Sequence, residues 1–344
     1  MSKKSVQEEL TRDDFLIGWI CTLDADLAAA LAVLDEQMLD LPFTKIRGDS
    51  NHYHFGRIHH HYIVIACLPA GTPGATAASW VAANMIRSFP NLARGVGMIV
   101  GVGGAAPNIP KGRDIRLGDI VVSKPEGRTN GLIQYDYGTA TEGGGFVMES
   151  HLAAPPMALL SAVDFVGVRN PEAFARGIRE KAQRIGSREA RFKRPQSPDN
   201  LFEATHLHVQ PKAGPNHLPN PDSGTCAQCD LTKRIKRPER KSDVPHIHKG
   251  IIASGNQIMK DAVKRDKISA ETGALCFERE AGSVTDDFRC LVVRGISNYA
   301  DGHSNKSWVA YAALVAALFA KEILLVAPKI EPPKWPAAET REQK

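Results

Sequence analysis

The stretch Phe288–Asp301, FRCLVVRGISNYAD, decides the fold of this chain. Its first half is a run of apolar and β-branched residues, and the run reaches Gly295 before the sequence turns polar. Buried parallel strands have this composition, and α/β sheets bind their ligands beyond the carboxyl ends of such strands. We therefore expect a strand that ends near Gly295, followed by a loop that carries the chemistry.

A helix is expected directly after this loop. Residues Trp308–Glu322 are small and apolar on nearly all sides. This pattern is typical of a helix that is buried against a sheet. Strand, loop and helix together predict an α/β protein.

Length, charge and cysteine content limit the kind of protein this is. The chain has 344 residues, a formal net charge of +5 and six cysteines. One α/β core with an insertion accommodates this length, and the small, scattered charge does not favour a nucleic-acid polymer as partner. Few cysteines indicate a reducing compartment. The charged N-terminus, and the expectation that no run of about 18 residues is apolar, predict a soluble cytoplasmic protein without a membrane partner.

The first strand candidate, Phe15–Leu23, leads straight into acidic residues. Asp24 and Asp26 precede the Ala- and Leu-rich segment Leu27–Leu39, so a strand, a tight turn and a helix are predicted. The N-terminus of such a helix is suited to an anion or a water network. The alternative is that the two aspartates only cap the helix.

Periodicity predicts further regular elements along the chain. They are a hairpin over 54–68, a helix over 75–89, a buried strand over 96–105, a strand ending at 123, two helices over 155–183 that divide near 169–171, and strands near 250–254 and 274–278. Gly103 and Gly104, near the end of the strand predicted over 96–105, would let backbone amides approach a phosphate or ribose closely. Arg113 and Arg116 either bind anions or are ordinary surface charges.

A loop-rich insertion is predicted over about 184–245, where Pro and charged residues are frequent and periodicity is weak. Loops of this length are functional or disordered, and the basic residues here either reach over a polyphosphate or are solvated. Cys226 and Cys229 have the spacing of half a zinc site, but no second pair follows. The nearby histidines considered as their partners are His217, His246 and His248. Zinc is the alternative here, and a loop without metal is the expectation.

Two carboxylates stand at the end of the strand predicted near 274–278. They are Glu278 and Glu280. Side chains at i and i+2 of an extended segment face the same side, so this pair is suited to binding two sugar hydroxyls.

Six motifs, taken together and in this order, resemble the nucleoside phosphorylase/nucleosidase superfamily. They are ICTL at 20–23, VGVGG at 100–104, DIRLGDIVVS at 114–123, GIIASGN at 250–256, FERE at 277–280 and RGISNYAD at 294–301. The resemblance is greatest to the fungal branch found at the N-terminus of NLR-type immune receptors. It covers about residues 14–326, and implies a three-layer αβα fold around a mixed, largely parallel sheet. Residues 1–13 would then be an extension and 327–344 a Pro-rich tail.

The resemblance also implies roles for individual residues. Asn298 stands where the family has an acid that protonates, or hydrogen-bonds, the purine N7. Glu280 would bind ribose hydroxyls, with Arg279 in place of the family's Met, and Asp26 would position the water. The remaining substrate contacts implied are Ile258 and Met259 to adenine, and Gly103, Gly104, Arg113 and Arg116 near phosphate. Glu278 and Ser297 are also predicted to bind substrate.

The implied activity is hydrolysis of the N-glycosidic bond of purine nucleosides or nucleotides, with adenosine or ATP favoured and no cofactor or metal. A cationic sugar needs nearby carboxylates, and the departing purine needs a donor at N7. Asn298 donates a hydrogen bond but cannot transfer a proton, so either this branch has altered the chemistry or the residue is a substrate-trapping substitution. A phosphate-dependent phosphorylase and a weakly active nucleotide-binding sensor module stay open. The expected partners are the purine substrate and further copies of the chain, in a homo-oligomer.

Overall fold

A computed structural model gives the architecture of the chain. It describes residues 10–331 except 40, 42, 44–45, 94, 151, 210–225, 285–287 and 304–305. Most of the predicted extension 1–13 and of the tail 327–344 lies outside the described residues, and so does His217. The predicted domain boundaries therefore stay predictions.

Thirteen strands and six helices occur within the described residues. The strands are β1 (Ile17–Cys21), β2 (Glu36–Met38), β3 (Tyr53–Ile58), β4 (His61–Cys67), β5 (Val96–Ala105), β6 (Ile120–Ser123), β7 (Leu132–Gln134), β8 (Gly138–Thr141), β9 (Gly145–Met148), β10 (Ile247–Gly250), β11 (Ile252–Ser254), β12 (Cys276–Glu278) and β13 (Cys290–Asn298). The helices are α1 (Asp24–Val33), α2 (Ala75–Ser88), α3 (Met157–Phe165), α4 (Pro171–Arg188), α5 (Ala262–Thr272) and α6 (Val309–Val326).

Eleven of the described strands form one mixed sheet. Its main order is β10-β6-β13-β5-β1-β4-β3-β2, while β12 pairs with β5 and β11, and β11 pairs with β7. The central pairs β13–β5, β5–β1 and β1–β4 are parallel, whereas β6 and β12 run antiparallel to β13 and β5. The predicted mixed, largely parallel sheet is confirmed.

Helices cover both faces of this sheet. On one face α6 packs with α1, α3 and α4, and on the other face lies α2. Side chains of β13 alternate between the faces, with Leu291 and Val293 toward α6 and Val292 and Ile296 toward α2. The predicted three-layer αβα fold is therefore confirmed. The alternation places Arg294 on the α2 face.

Strand β13 continues three residues past Gly295, so the predicted end of this strand was wrong. A side chain at Gly295 would lie 1.9 Å from the carbonyl oxygen of Ala312 in α6. The glycine is needed because the helix approaches the strand closely, and not because the strand stops there. A bulge against β5 falls between Ile296 and Asn298.

The first helix is shorter than the predicted segment 27–39. It begins at Asp24 and ends at Val33, and Glu36–Met38 form β2, which pairs antiparallel with β3. Pairing with a distant strand decides the conformation here, and local periodicity does not contain that information. The predicted division between two helices near 169–171 is confirmed, since the side chain of Asn170 caps α4 and Pro171 is its first residue.

Helix α6 corrects the expectation that no segment is apolar over about 18 residues. The segment Lys306–Val326 has a mean hydropathy of 2.1 and is long and apolar enough to cross a membrane. In the fold, 67% of its most apolar window is buried, and the helix packs on β13 and β5. Burial against the sheet accounts for its composition.

Candidate active site

A fully buried arginine, Arg294, lies at the centre of the candidate site. Its guanidinium forms ion pairs with Glu278 and, at 3.4 Å, with Glu280, and its Nη1 donates to the carbonyl oxygen of Val102 at 3.4 Å. Sequence reasoning gave Arg294 no role, because a single charge within an apolar run does not show which residues it will meet. The only available signal was that charge at a position expected to be buried.

Glu278 and Glu280 face the same guanidinium, although only Glu278 belongs to β12. Glu278 also accepts hydrogen bonds from the backbone N–H groups of Glu280 at 3.1 Å and of Ala281 at 3.0 Å. Glu280 accepts through Oε2 from the Arg279 N–H at 3.2 Å, and its Oε1 has no hydrogen bond to any described residue. Glu278 is thus held in place, whereas Glu280 keeps an oxygen for a ligand.

The environment of Glu280 changes its protonation. Burial raises the pKa of Glu280 to about 7, with the Arg294 charge opposing this rise and the Glu278 charge adding to it. A carboxyl group with this pKa exchanges its proton near neutral pH. Buried carboxyl groups of this kind are frequent in active sites.

Asp26 reaches the site from the first turn of α1. Its Oδ2 accepts hydrogen bonds from Thr22 Oγ1 at 2.7 Å and from the Leu23 N–H at 3.0 Å, so it does cap the helix. Its Oδ1 is buried and has no hydrogen-bond partner in the described part of the chain. Burial raises the pKa of Asp26, against the hydrogen bond from Thr22 and the charge of Arg294. One carboxylate oxygen caps the helix and the other remains available.

Gly101 brings Asp26 and Arg294 together. A side chain at this position would place its Cβ 2.5 Å from Asp26 Oδ2 and 3.0 Å from Arg294 Nη1. The two groups therefore face each other across a residue that has to be glycine. One arginine thus lies among three carboxylates that come from β12, the turn after it and α1.

Asn298 is the last residue of β13, the strand that carries Arg294. Its Oδ1 accepts from the Ala300 N–H at 2.9 Å, and its Nδ2 donates to Ser297 Oγ at 3.1 Å. Ala300 has a positive φ of 50° in the turn that follows. The amide is therefore oriented by its own loop.

The predicted phosphate glycines lie inside β5, with β13 on one side. A Cβ on Gly103 would meet Arg294 Cβ at 3.2 Å, and one on Gly104 would meet Asn298 Oδ1 at 2.6 Å. The close approach that these glycines allow is made to the site's own side chains. Contact of their amides with phosphate stays a prediction.

The predicted base-binding loop follows β11. Met259 is buried in an apolar cluster with Phe277 and Ala300, whereas Ile258 is 59% exposed. Tyr135 packs edge-on against Phe277 with ring centroids 5.4 Å apart. This cluster joins the loop to the turn after Asn298 and to the strand that carries Glu278.

Arg113 and Arg116 are held by groups outside this cluster. Arg113 donates to the carbonyl oxygen of Gly273 at 3.1 Å, and Arg116 forms hydrogen bonds to both carboxylate oxygens of Asp114. Arg116 also lines a cavity of about 1010 Å³ that the insertion helps to form. Among its described lining residues are neither the three carboxylates nor Arg294. The structure therefore does not bring these two arginines to the carboxylate cluster.

Arg279 lies directly beside Glu280. Within the described residues its guanidinium has no ion pair, since Glu278 pairs with Arg294 and Asp301 lies 3.9 Å from Arg265. Arg279 therefore forms no ion pair with Glu278 or Asp301.

Comparison with known proteins gives one curated relative and many solved structures. No family model matches the sequence. The relative is a nucleotide-binding leucine-rich repeat (NLR)-like protein of Hyaloscypha variabilis, 36% identical over 321 residues. The match covers 92% of this chain, and the chain spans only 30% of the length of that relative.

Solved structures with a similar fold include a futalosine hydrolase and several nucleosidases. The futalosine hydrolase of Helicobacter pylori has a TM-score of 0.53 and 16% identity, over 91% of this chain and 99% of that one. An aspartate-to-asparagine variant of a nucleosidase from Helicobacter pylori, with 5′-methylthioadenosine in its active site, has a TM-score of 0.52 and 17% identity, over 90% and 97%. The 5′-methylthioadenosine/S-adenosylhomocysteine nucleosidase of Neisseria meningitidis, bound to methylthio-immucillin-A, gives 0.52 and 14%, over 90% and 97%. At these identities the likeness shows the fold.

Proposed function

We propose that this chain hydrolyses the N-glycosidic bond of purine nucleosides or nucleotides. It has the fold of the nucleoside phosphorylase/nucleosidase superfamily and matches a relative of the fungal NLR-associated branch. Adenosine or ATP is the favoured substrate, and free adenine the expected product. The single observation that carries this proposal is the convergence of three carboxylates on one buried arginine.

The carboxylates suit the charge that develops on the sugar. Cleavage of an N-glycosidic bond passes through an oxocarbenium-like ribosyl group, and fixed negative charge in a site shielded from bulk solvent stabilises such a cation. Glu280 has an oxygen without a hydrogen bond to any described residue, and its pKa of about 7 lets it bind ribose hydroxyls in either protonation state. Arg294 holds Glu278 and Glu280 in place.

The same charges favour water over phosphate as the nucleophile. Asp26, Glu278 and Glu280 outnumber Arg294, and a phosphate dianion beside them would be repelled. Asp26 Oδ1 is buried without a partner among the described residues, so it can accept a hydrogen bond from a water molecule. Hydrolysis is therefore preferred to phosphorolysis.

The base would leave toward Asn298. Its amide can donate a hydrogen bond to the purine N7, but it cannot deliver the proton that a carboxylic acid would share. Loss of a general acid costs about 10²- to 10⁴-fold in rate. We therefore expect slow turnover with strong binding.

Arg279 supports a substrate with a 5′ anionic group. Its guanidinium has no ion pair to a described residue and lies next to the carboxylate assigned to ribose. A phosphate chain on the ribose would offer it a charge-assisted hydrogen bond. This is the basis for favouring ATP.

A nucleotide-binding sensor module is the second candidate, and Asn298 is the observation that favours it. The relative is itself described as a nucleotide-binding NLR-like protein. Binding without turnover would be sufficient for such a module.

Chromatography for free adenine separates these functions. The protein is incubated with ATP, adenosine and 5′-methylthioadenosine, each with and without phosphate. Glu280→Gln is the test variant, and Glu142→Gln, at an exposed position, is its matched control. We expect adenine without added phosphate from the unmodified protein and from Glu142→Gln, and much less from Glu280→Gln.

Two other results of this experiment would indicate the alternative functions. Adenine release that depends strictly on phosphate indicates the phosphorylase. Calorimetric binding of a purine nucleotide without any release of base indicates the sensor. The proposal is refuted if the protein binds none of the three ligands and releases adenine from none of them.

A further inference from the structure

We propose that the insertion contains a structural zinc site, in which Cys226 and Cys229 bind the ion together with histidines drawn from His206, His208 and His303. This cluster lies outside the carboxylate site and does not depend on the proposed function. It also departs from the expectation that this chain holds no metal.

The ligand atoms are already close to one another. Those of His208, Cys226 and Cys229 lie within 4.8 Å of each other, and so do those of His206, Cys229 and His303. Cys229 Sγ lies 3.3 Å from His208 Nδ1. Tetrahedral zinc has bonds of about 2.3 Å to sulfur and about 2.0–2.1 Å to nitrogen, which separates its ligand atoms by about 3.3–3.8 Å. Small side-chain movements would complete this geometry.

The two thiols converge because the backbone turns tightly between them. The Cys229 N–H donates to the Cys226 carbonyl oxygen at 3.1 Å, and closes the turn. Asp230 fixes the next residues by accepting from the Thr232 N–H at 2.9 Å. The spacing of two residues between cysteines, on such a turn, is typical of zinc-binding proteins.

The histidines point to a missing partner. His206 Nε2 and both ring nitrogens of His303 are buried without a hydrogen bond to any described residue. The His303 side chain is 3% exposed, and its ring stacks on Phe202 with centroids 4.3 Å apart. Buried polar atoms nearly always have a partner, so orphaned imidazole nitrogens beside two thiols indicate an ion. Two thiolates with imidazole nitrogens favour zinc over harder cations.

These ligands come from three separate parts of the chain. His206 and His208 precede the segment 210–225, the two cysteines follow it, and His303 lies five residues after Asn298. A Cβ on Gly302 would lie 3.2 Å from that of His208, so the insertion already packs against the loop after β13. A bound zinc would fasten the insertion to the loop that follows Asn298.

Of the histidines considered from sequence spacing, the two that the structure describes are not in this cluster. His248 hydrogen-bonds Asp119 at 3.0 Å, His246 is exposed, and His217 lies outside the described residues. Spacing rules predict metal ligands that lie close to the cysteines in the sequence, whereas His303 lies about 75 residues away and is brought to them by the fold.

The test measures metal in the full chain. The protein is purified without chelator, and its zinc content is determined by plasma mass spectrometry. We expect about one zinc ion per chain, and loss of it in Cys226→Ser/Cys229→Ser. Cys67→Ser, at a half-buried thiol of β4, and His246→Ala are the matched controls and should keep the ion. Alanine variants of His206, His208 and His303 identify the histidine ligands.

A second measurement does not depend on whether the variants fold. Reconstitution of the unmodified protein with Co²⁺ alone should give the visible absorption bands of a tetrahedral site and a thiolate-to-metal charge-transfer band. Absence of zinc and of this charge-transfer band overturns the proposal, whether mass analysis then shows two free thiols or a disulfide. Retention of zinc in the double serine variant also overturns it.

Discussion

Replacement of Arg294 with methionine tests the centre of the candidate active site. Methionine keeps an unbranched apolar side chain, but it leaves Glu278 and Glu280 buried without their cation. Breaking a buried ion pair by removing one partner costs about 3–5 kcal/mol. A domain is stable by only about 5–15 kcal/mol, so Arg294→Met should have a folding midpoint far below that of the unmodified protein.

Neutralising a carboxylate partner of Arg294 should restore part of the lost stability. Glu278→Gln added to Arg294→Met removes one of the two orphaned charges. We expect the double variant to be more stable than Arg294→Met by about 1–3 kcal/mol, in the range of coupling between contacting residues. Glu280 should respond as well, since loss of the Arg294 charge removes the group that opposes the rise of its pKa.

Urea denaturation followed by tryptophan fluorescence measures these free energies, because Trp19 and Trp308 are fully buried. Arg57→Met is the matched control. Arg57 pairs with Glu36 at 3.0 Å, but its side chain is 39% exposed, so its loss should cost less than about 1 kcal/mol. The rate of adenine release at a temperature where Arg294→Met stays folded should fall by at least about 10²-fold.

Two results would refute this reasoning. One is a loss of stability in Arg294→Met no larger than that in Arg57→Met. The other is an unchanged rate of adenine release from folded Arg294→Met, which would separate the buried ion pairs from catalysis.

Three further predictions concern other residues of the site. Asn298→Asp should raise the rate of adenine release by at least about tenfold, because a carboxylic acid can share a proton with N7; an equal or lower rate in a stopped assay removes Asn298 from this role. The raised pKa of Glu280 contributes stability that is fully present below its usual value of 4.5 and is lost as pH rises through about 7, so urea midpoints should fall over this window and Glu280→Gln should flatten the change. ATP should bind more tightly than adenosine by calorimetry, with an advantage that shrinks with salt and is largely lost in Arg279→Met; equal affinities in the unmodified protein would leave a nucleoside site.

The regular elements could be predicted because their signals are local. The strand β5, the hairpin β3–β4 and the capped helix α4 all follow from periodicity and from turn or cap residues. The end of α1 and the extent of β13 could not be predicted. Both depend on residues far along the chain, namely β3 for the first and Ala312 for the second.

The candidate site shows the same division. Glu278 and Glu280 follow from their i, i+2 spacing, whereas Asp26 is singled out by the resemblance to the superfamily. Arg294 could not be assigned from the sequence, because its role depends on side chains from β12 and α1 that meet it only in the folded sheet. The cluster of cysteines and histidines could not be predicted for the same reason. His303 and Cys229 are about 75 residues apart in the sequence and meet only in the folded chain.

The place of α6 in the chain order has a consequence for biogenesis. This helix packs on β13, β5, α1, α3 and α4, all of which are synthesised before it. Until residues 309–326 leave the ribosome, the apolar surfaces of β13, β5, α1, α3 and α4 that α6 covers remain open to water. Such exposed apolar surface is prone to aggregation, and a helix with a mean hydropathy of 2.1 is itself poorly soluble before it docks. Completion of the core therefore waits for the docking of one late helix, and chaperone binding during translation should be strongest just before it.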